Sequence, residues 1–540
     1  MKKKLLWYSC CILLLTCYQA FSQSTDELNS IKIIEKGIGL HDNKKYDEAI
    51  LEYKKISRSD SNYVLAATEL ATTYVLSGKD SLAVELCNDL LKSPSSYLPK
   101  LLVLKGNALD NLKKRDEAIQ VYEEGIKKFP LYYGFTLELG ILNLRQEKYK
   151  EAYDWLVKSI KVNPYNASAH YYMGYIAAKQ GKQVPAMLAW MFYLTIDNAS
   201  ERAKLVVNSL EAMARNEYEY GDLVKVNELE DQDDFSEIET LVRSKVALDK
   251  KYKSETKLKF NITKQAQLMM EKMEVAKNDK GFFMQFYAPF YLELYKKKLL
   301  EPFSYHILSG VENKEIDSWV KKNSDKITAF GSWVVGYLSE NISYYEENLN
   351  GQLVKAHHYY SNSNDILSAG NVDAKNESIG YWNYYYANGI KKSEGAYDDK
   401  NQRHGVWKFY HPDGVIESTE NYVNGYVEGQ IETYHTNGSV DTRKNFAKNL
   451  LEGEQFIYYP TGVLKNSYPY KADIENGKEK KFHPNGKLEY EMNVVNGKYE
   501  GELIQYYMDG HIRQKAFFKE GKMNGKYIQY YDLPENLVSD

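Results

Sequence analysis

Cysteine is nearly absent: the chain has four in 540 residues. Cys10, Cys11 and Cys17 all sit in or at the edge of the amino-terminal leader, which strands Cys87 alone in the mature chain and excludes an internal disulfide. An exported chain of this kind has to hold together by packing. Surplus charge is missing too. Seventy basic against 74 acidic residues give a formal net charge of −4 and a pI near 6.3, so the basic footprint of a nucleic-acid binder is lacking. There is no Cys-x-x-Cys pair, no Gly-x-Ser-x-Gly elbow and no phosphate-cradling glycine loop. Long apolar runs are confined to Leu5–Thr16, twelve residues where about 20 are needed to cross a bilayer as a helix. That run follows Lys2, Lys3 and Lys4 and precedes Ala20-Phe21-Ser22, the layout of a cleaved secretory signal over residues 1–22. The leader implies a periplasmic, outer-membrane-associated or extracellular location. Cys17, after Leu14-Leu15-Thr16, is the alternative lipidation site, with threonine where a small residue is usual.

What the chain does have is periodicity. Asn388-Gly389, Asp413-Gly414, Asn437-Gly438, Thr461-Gly462, Asn485-Gly486 and Asp509-Gly510 recur at steps of 25, 24, 24, 24 and 24 residues. A second glycine series, Gly380, Gly405, Gly429, Gly453, Gly477 and Gly501, leads each by nine, and Gly525 opens a seventh unit. Asn-Gly and Asp-Gly favour two-residue type I′ turns, so each unit is expected to be a β-hairpin. Five after each leading glycine stand Tyr385, Tyr410, Tyr434, Tyr458, Phe482, Tyr506 and Tyr530. Beyond the turns come Lys391, Ile416, Val440, Leu464, Leu488 and Ile512, and six further on Tyr397, Tyr422, Phe446, Tyr470, Val494 and Phe518. Positions six apart on a strand share a face, so one apolar stripe is expected.

With openings such as Gly405-Val406-Trp407-Lys408-Phe409-Tyr410, this third of the chain resembles the bacterial variant of the MORN repeat. The resemblance implies a non-catalytic binding module. For some relatives it implies attachment to membrane surfaces or an antitoxin role, and the latter needs a cytoplasmic target.

A second period runs between Asn29 and Ser200. Ala49, Ala83, Ala118, Ala152 and Ala186 are spaced by 34, 35, 34 and 34 residues, each twelve after Gly37, Ala71, Gly106, Gly140 or Gly174 and four before Tyr53, Cys87, Tyr122, Leu156 or Trp190. Small residues at both places let paired helices approach closely, and Pro130 and Pro164 close units where a helix must stop. Cys87 thus falls on an apolar face and is expected in the core. With Tyr46-Asp47-Glu48-Ala49 and its counterparts, this stretch resembles five tetratricopeptide repeats. The resemblance implies a curved stack whose inner helices bind a peptide or protein. The expected inward positions are Thr68, Thr72, Val103, Asn107, Leu137, Ile141, Tyr171 and Tyr175; Tyr171 and Tyr175 either line that groove or pack against the next domain. Ile34 and Ile38 stand where a basic clamp would be, which argues against gripping a carboxylate.

The expected organisation is α + β and multidomain: an α-solenoid over 24–200, an α-helical connector over 201–345, a degenerate first hairpin over 346–379, an antiparallel hairpin array over 380–533, and a tail over 534–540. Ser236-Glu237-Ile238-Glu239 has the form of a capping box. A calcium loop begun at Asp231 fails, because Ser236 stands where glycine is needed and Val242 where a bidentate acid is needed. The aromatic stretch Phe282–Tyr291 is either core or a docking surface. His411, His435 and His483 share a register three before their turn glycines. Equivalent positions in successive hairpins are about 9 to 10 Å apart, too far to share one zinc. Tyr386, Tyr459 and Tyr507 fill the same register elsewhere. The expectation is a scaffold of the bacterial cell envelope with no catalytic centre, cofactor or metal. Its partners are one or more proteins, with a membrane surface as the alternative, and neither nucleic acid nor a small-molecule substrate is expected.

Overall fold

The computed structural model describes residues 29–93, 95–221, 233–275, 280–342, 344–349, 351–360, 366–435 and 437–530. The leader, Cys17, Asp231 and the tail lie outside them. Two compact units emerge, one helical up to Tyr344 with 360–366, the other made of Tyr345–Tyr359 and the chain from Leu367 onward.

The helical unit opens as antiparallel pairs: α1 (29–42) with α2 (Tyr46–Tyr53), α3 (Tyr63–Leu76) with α4 (Asp80–Leu90), α5 (Leu98–Asn111) with α6 (Arg115–Lys128), α7 (Gly134–Arg145) with α8 (Tyr149–Val162), and α9 (Ala167–Lys179) with α10 (Gln183–Ile196). The small-to-large columns explain the pairing. A Cβ added at Gly106 or Gly174 would lie 2.2 Å from the Tyr122 ring or 2.3 Å from that of Trp190, and one at Gly140 would lie 2.9 Å from Leu156. Alanine at 49, 83, 118, 152 and 186 is fully buried, so the helices meet at these residues. Cys87 is buried and free, and burial pushes its thiol up to about 12, which leaves it inert.

Beyond residue 200 the helices continue as α11 (Glu201–Ala214), α12 (Ser236–Arg243), α13 (Asn261–Lys272) and α14 (Phe282–Lys296), then α15 (Leu300–Ile307), α16 (Lys314–Lys322) and α17 (Ser324–Tyr337). One hydrophobic cluster runs from Tyr149 to Leu338 without a break at residue 200. The aromatic stretch is core: Phe283, Phe286, Tyr287, Phe290 and Tyr291 are buried, and Phe192 of α10 lies 4.9 Å from the Phe290 ring. Among the described residues no helix is long and apolar enough to cross a membrane.

Three of these helices are capped by carboxylates from elsewhere in the chain. Asp233 accepts from the backbone N–H groups of Phe283 (3.2 Å) and Met284 (2.7 Å) at the start of α14. Glu211 accepts from Ile262 N at 2.8 Å, opening α13, and Glu239 from Gln183 N at 2.7 Å, opening α10. Each satisfies orphan donors and places negative charge at the positive end of a helix. The capping box expected at Ser236–Glu239 does not form. Asp234 accepts from Ser236 N instead, and Glu239 is drawn away to α10 because the N-terminus there offers an unpaired buried donor.

The second unit is a run of antiparallel strands paired with sequence neighbours. Its turn chemistry differs from expectation. At Asn388-Gly389 only the glycine has positive φ (75°); Tyr386 N–H bonds Ile390 O and Gly389 N–H bonds Tyr386 O, both at 2.8 Å. The turn is thus a three-residue loop, a type I turn followed by a left-handed glycine. The same hydrogen bonds close His411–Val415, His435–Ser439, Tyr459–Val463, His483–Lys487 and Tyr507–His511. Type I′ turns do occur, at the other end of the hairpins: Asn424-Gly425, Lys448-Asn449, Ala472-Asp473, Asn496-Gly497 and Glu520-Gly521 have positive φ at both positions. Between Asp398 and Gln402 that end is instead a three-residue loop, with Asn401 left-handed, and the additional residue accounts for the single 25-residue step.

The expected stripe is also displaced. Tyr410 pairs Ile416, but Phe409 pairs Ser418, so Glu417 is bulged out, and Lys392, Asp441, Lys465, Glu489 and Arg513 are skipped in the same way. Each bulged residue is charged. A bulge breaks the alternation of faces, so Ile416 is 36% exposed although Tyr422, six on, is 8% exposed. The third column instead sits opposite the leading glycines, Gly405 against Tyr422 and Gly453 against Tyr470.

Gly438 has φ +82° and no atom within 4 Å of an added Cβ. Gly438→Val is therefore expected to destabilise the array by about 1–2 kcal/mol through backbone strain alone. Urea unfolding followed on the full chain checks this, and an unchanged midpoint contradicts it.

Candidate partner-binding surfaces

The inner helices α3, α5, α7 and α9 lie side by side and bring the eight sequence-derived positions into one strip, two per helix and four residues apart. Seven of them are half-buried. Thr68 is the correction: it is fully buried, and its hydroxyl donates to Val64 O at 2.7 Å, so it belongs to the interior of α3. Thr72 donates to Thr68 O at 2.9 Å. Asn107 is already engaged: its amide nitrogen faces Val103 O and Glu138 Oε2, both at 3.3 Å, and meets the Tyr122 hydroxyl at 2.5 Å. Burial pushes the Glu138 carboxyl above its ordinary range. Val103, Leu137 and Ile141 supply the apolar middle of the strip.

At its carboxyl end the strip is partly filled by the chain itself. The Arg202 guanidinium lies 4.8 Å from the Tyr171 ring centre and Lys179 lies 5.9 Å from that of Tyr175. Tyr218, just past α11, packs edge-on against Trp190 at 6.0 Å, and both Tyr171 and Tyr175 rest on the hydrophobic cluster. Tyr171 thus packs towards α11 through Arg202, while the cation over Tyr175 comes from its own helix, and both tyrosines stay half-buried. Their neighbour His170 is buried, donating Nε2–H to Pro164 O (2.9 Å) and accepting at Nδ1 from the Tyr287 hydroxyl (2.7 Å); burial pushes its pKa down to about 3. It ties α9 to α14 as a neutral imidazole.

In the strand unit the histidine column proves to be an adhesive. Nε2 of His411, His435 and His483 faces the backbone carbonyls of Tyr434 (3.5 Å), Tyr458 (3.3 Å) and Tyr506 (3.0 Å), each in the next hairpin. In the same register the hydroxyls of Tyr386, Tyr459 and Tyr507 donate to the carbonyls of Tyr410 (2.8 Å), Phe482 (3.0 Å) and Tyr530 (2.8 Å). The register calls for a planar side chain with a donor at its tip, and histidine and tyrosine both qualify. No group of three or more metal-ligating side chains occurs among the described residues. The opposite edge is stitched as well: Asn449 and Asp473 accept from Val427 N (2.6 Å) and Leu451 N (2.5 Å).

Family profiles match both regions. Residues 403–424, 451–472 and 475–496 match the MORN repeat variant, and residues 103–158 match the tetratricopeptide repeat. The chain carries repeats of both kinds. Solved structures similar to it include MamA, 21% identical over 31% of this chain and 96% of that one, with a TM-score of 0.24. Others are PilF of Pseudomonas aeruginosa, 21% identical over 35% and 85% with a TM-score of 0.28, and MamA of Desulfovibrio magneticus RS-1, 16% identical over 31% and 94% with a TM-score of 0.24. No curated protein matches the chain. A tetratricopeptide stack in general mediates contact between proteins.

Proposed function

We propose that the chain is a non-catalytic adaptor of the bacterial cell envelope, exported by its leader, which holds one partner in the helical groove while the hairpin array forms a second platform. The observation that carries the reading is the half-buried strip over α3, α5, α7 and α9, whose apolar middle, Val103, Leu137 and Ile141, suits an extended apolar segment of a partner. The leader supports export, with retention through Cys17 as the lipidated variant. The bound segment is expected to enter from the α3 side, since Arg202 and Tyr218 occupy the far end.

Cross-linking in intact cells followed by purification of the full chain is expected to recover a defined partner. Val103→Glu with Ile141→Glu, at half-buried sites, is expected to abolish recovery while helical content and melting stay near those of the parent. Recovery with this double variant equal to that with the parent chain would remove the groove from the reading.

A further inference from the structure

One hairpin unit differs from the rest at its inner positions. Two residues before and two after the leading glycine the units carry Arg403 and Trp407, Val427 and Ile431, Leu451 and Gln455, Tyr499 and Leu503; around Gly477 they carry Glu475 and Glu479. Glu479 is 4% exposed and accepts from the Tyr490 hydroxyl at 2.5 Å. Glu475 Oε1 is shielded from solvent and has no hydrogen-bond partner, although the residue's backbone carbonyl is held by Gly497 N at 2.8 Å. A second carboxylate charge at this place would have no cation to meet it.

The surrounding charges confirm that. Tyr468 and Tyr470 face the pair from the strand before, Tyr490 and Tyr499 from the two strands after. Asp473, in the adjoining turn, is committed to Leu451 N. On the same strand Lys478 and Lys480 turn to Glu491 (2.7 and 4.0 Å), and Lys481 to Glu489 (3.0 Å). Lys471 and Lys498 are exposed at the turns, and Glu500 accepts from Glu520 N. In the unit that carries Arg403, by contrast, the guanidinium lies over Trp407 at 4.4 Å and bonds the Tyr422 hydroxyl at 2.9 Å, so there the position brings its own cation.

We propose that Glu475, set beside the buried Glu479, is a proton-held latch inside the array, which keeps residues 464–506 closed while Glu475 holds its proton and loosens them when the proton leaves. Burial, and then the charge of Glu479, push the Glu475 carboxyl up to about 7. The unfolded chain loses this proton in the ordinary carboxylate range, near 4.5. The stabilisation is therefore full below that range and is lost as pH rises from there towards 7. His483 lies in the same segment, and any effect that came from it would survive in variants of Glu475.

Amide hydrogen exchange of the full chain, corrected for intrinsic rates, tests the latch. Between pH 5 and pH 8, peptides within 464–506 are expected to exchange about tenfold faster, those within 403–446 much less. Glu475→Gln and Glu475→Leu, the latter copying Leu451, are expected to keep protection at both pH values. A wild-type profile without pH dependence, a dependence that survives in either variant, or protection lost at every pH in both would each overturn the proposal.

Discussion

Trp190→Ala should lower the stability of the helical unit by about 3–5 kcal/mol. The indole is 3% exposed, fills the space that Gly174 leaves open, and donates Nε1–H to Tyr171 O at 3.0 Å. Truncation therefore opens a cavity between α9 and α10 and removes a hydrogen bond that supplements the helical bonding of the Tyr171 carbonyl. Urea unfolding read by far-ultraviolet dichroism gives the number. A loss below about 1 kcal/mol would mean that α9 and α10 are held together by something other than this insertion.

Acid should weaken the same unit through His170. Its pKa is ordinary in the unfolded chain, near 6.5, and about 3 when folded, because burial excludes the charged form. A depressed folded value contributes stability that is fully present above 6.5 and is lost as pH falls from there towards 3. At pH 4 the loss is about 3 kcal/mol, and His306, lowered by burial as well, adds in the same direction. Stability measured from pH 7 to pH 4 should fall steeply for the parent chain and more gently for His170→Gln, which is already weakened at pH 7. Equal slopes would show that the imidazole is not kept neutral. The two units are thus set in opposition: acid loosens the helices and, through Glu475, tightens part of the array.

Both repeat families were legible in the sequence because a period betrays itself by the spacing of glycine, alanine and aromatic residues, whatever the local geometry. The turn type was not legible. Asn-Gly suits a left-handed pair and a type I turn ending in a left-handed glycine about equally, and only the φ of Asn388 separates them. The bulges at Glu417 and its counterparts were hidden for a related reason, since an inserted residue leaves the period intact and shifts only the pairing. Asp233, Glu211 and Glu239 act on helix ends 50, 51 and 56 residues away, so no local motif marks them as caps. The histidine and tyrosine column was visible as a column, but its meaning needs the carbonyl of the following hairpin. Thr68 was misplaced because counting by fours along α3 does not say which way a short side chain turns. The acid pair could have been found by aligning the units on their leading glycines, where Glu475 and Glu479 stand out.

Each hairpin gives its neighbour the same donors that it receives from the one before, and every bond reaches only to the adjacent copy. Duplicating or excising 24 codons in frame therefore brings in or removes a segment whose binding partners already exist on both sides. Length in this third of the chain is open to inheritance by slippage of the gene, without any compensating change within the strands.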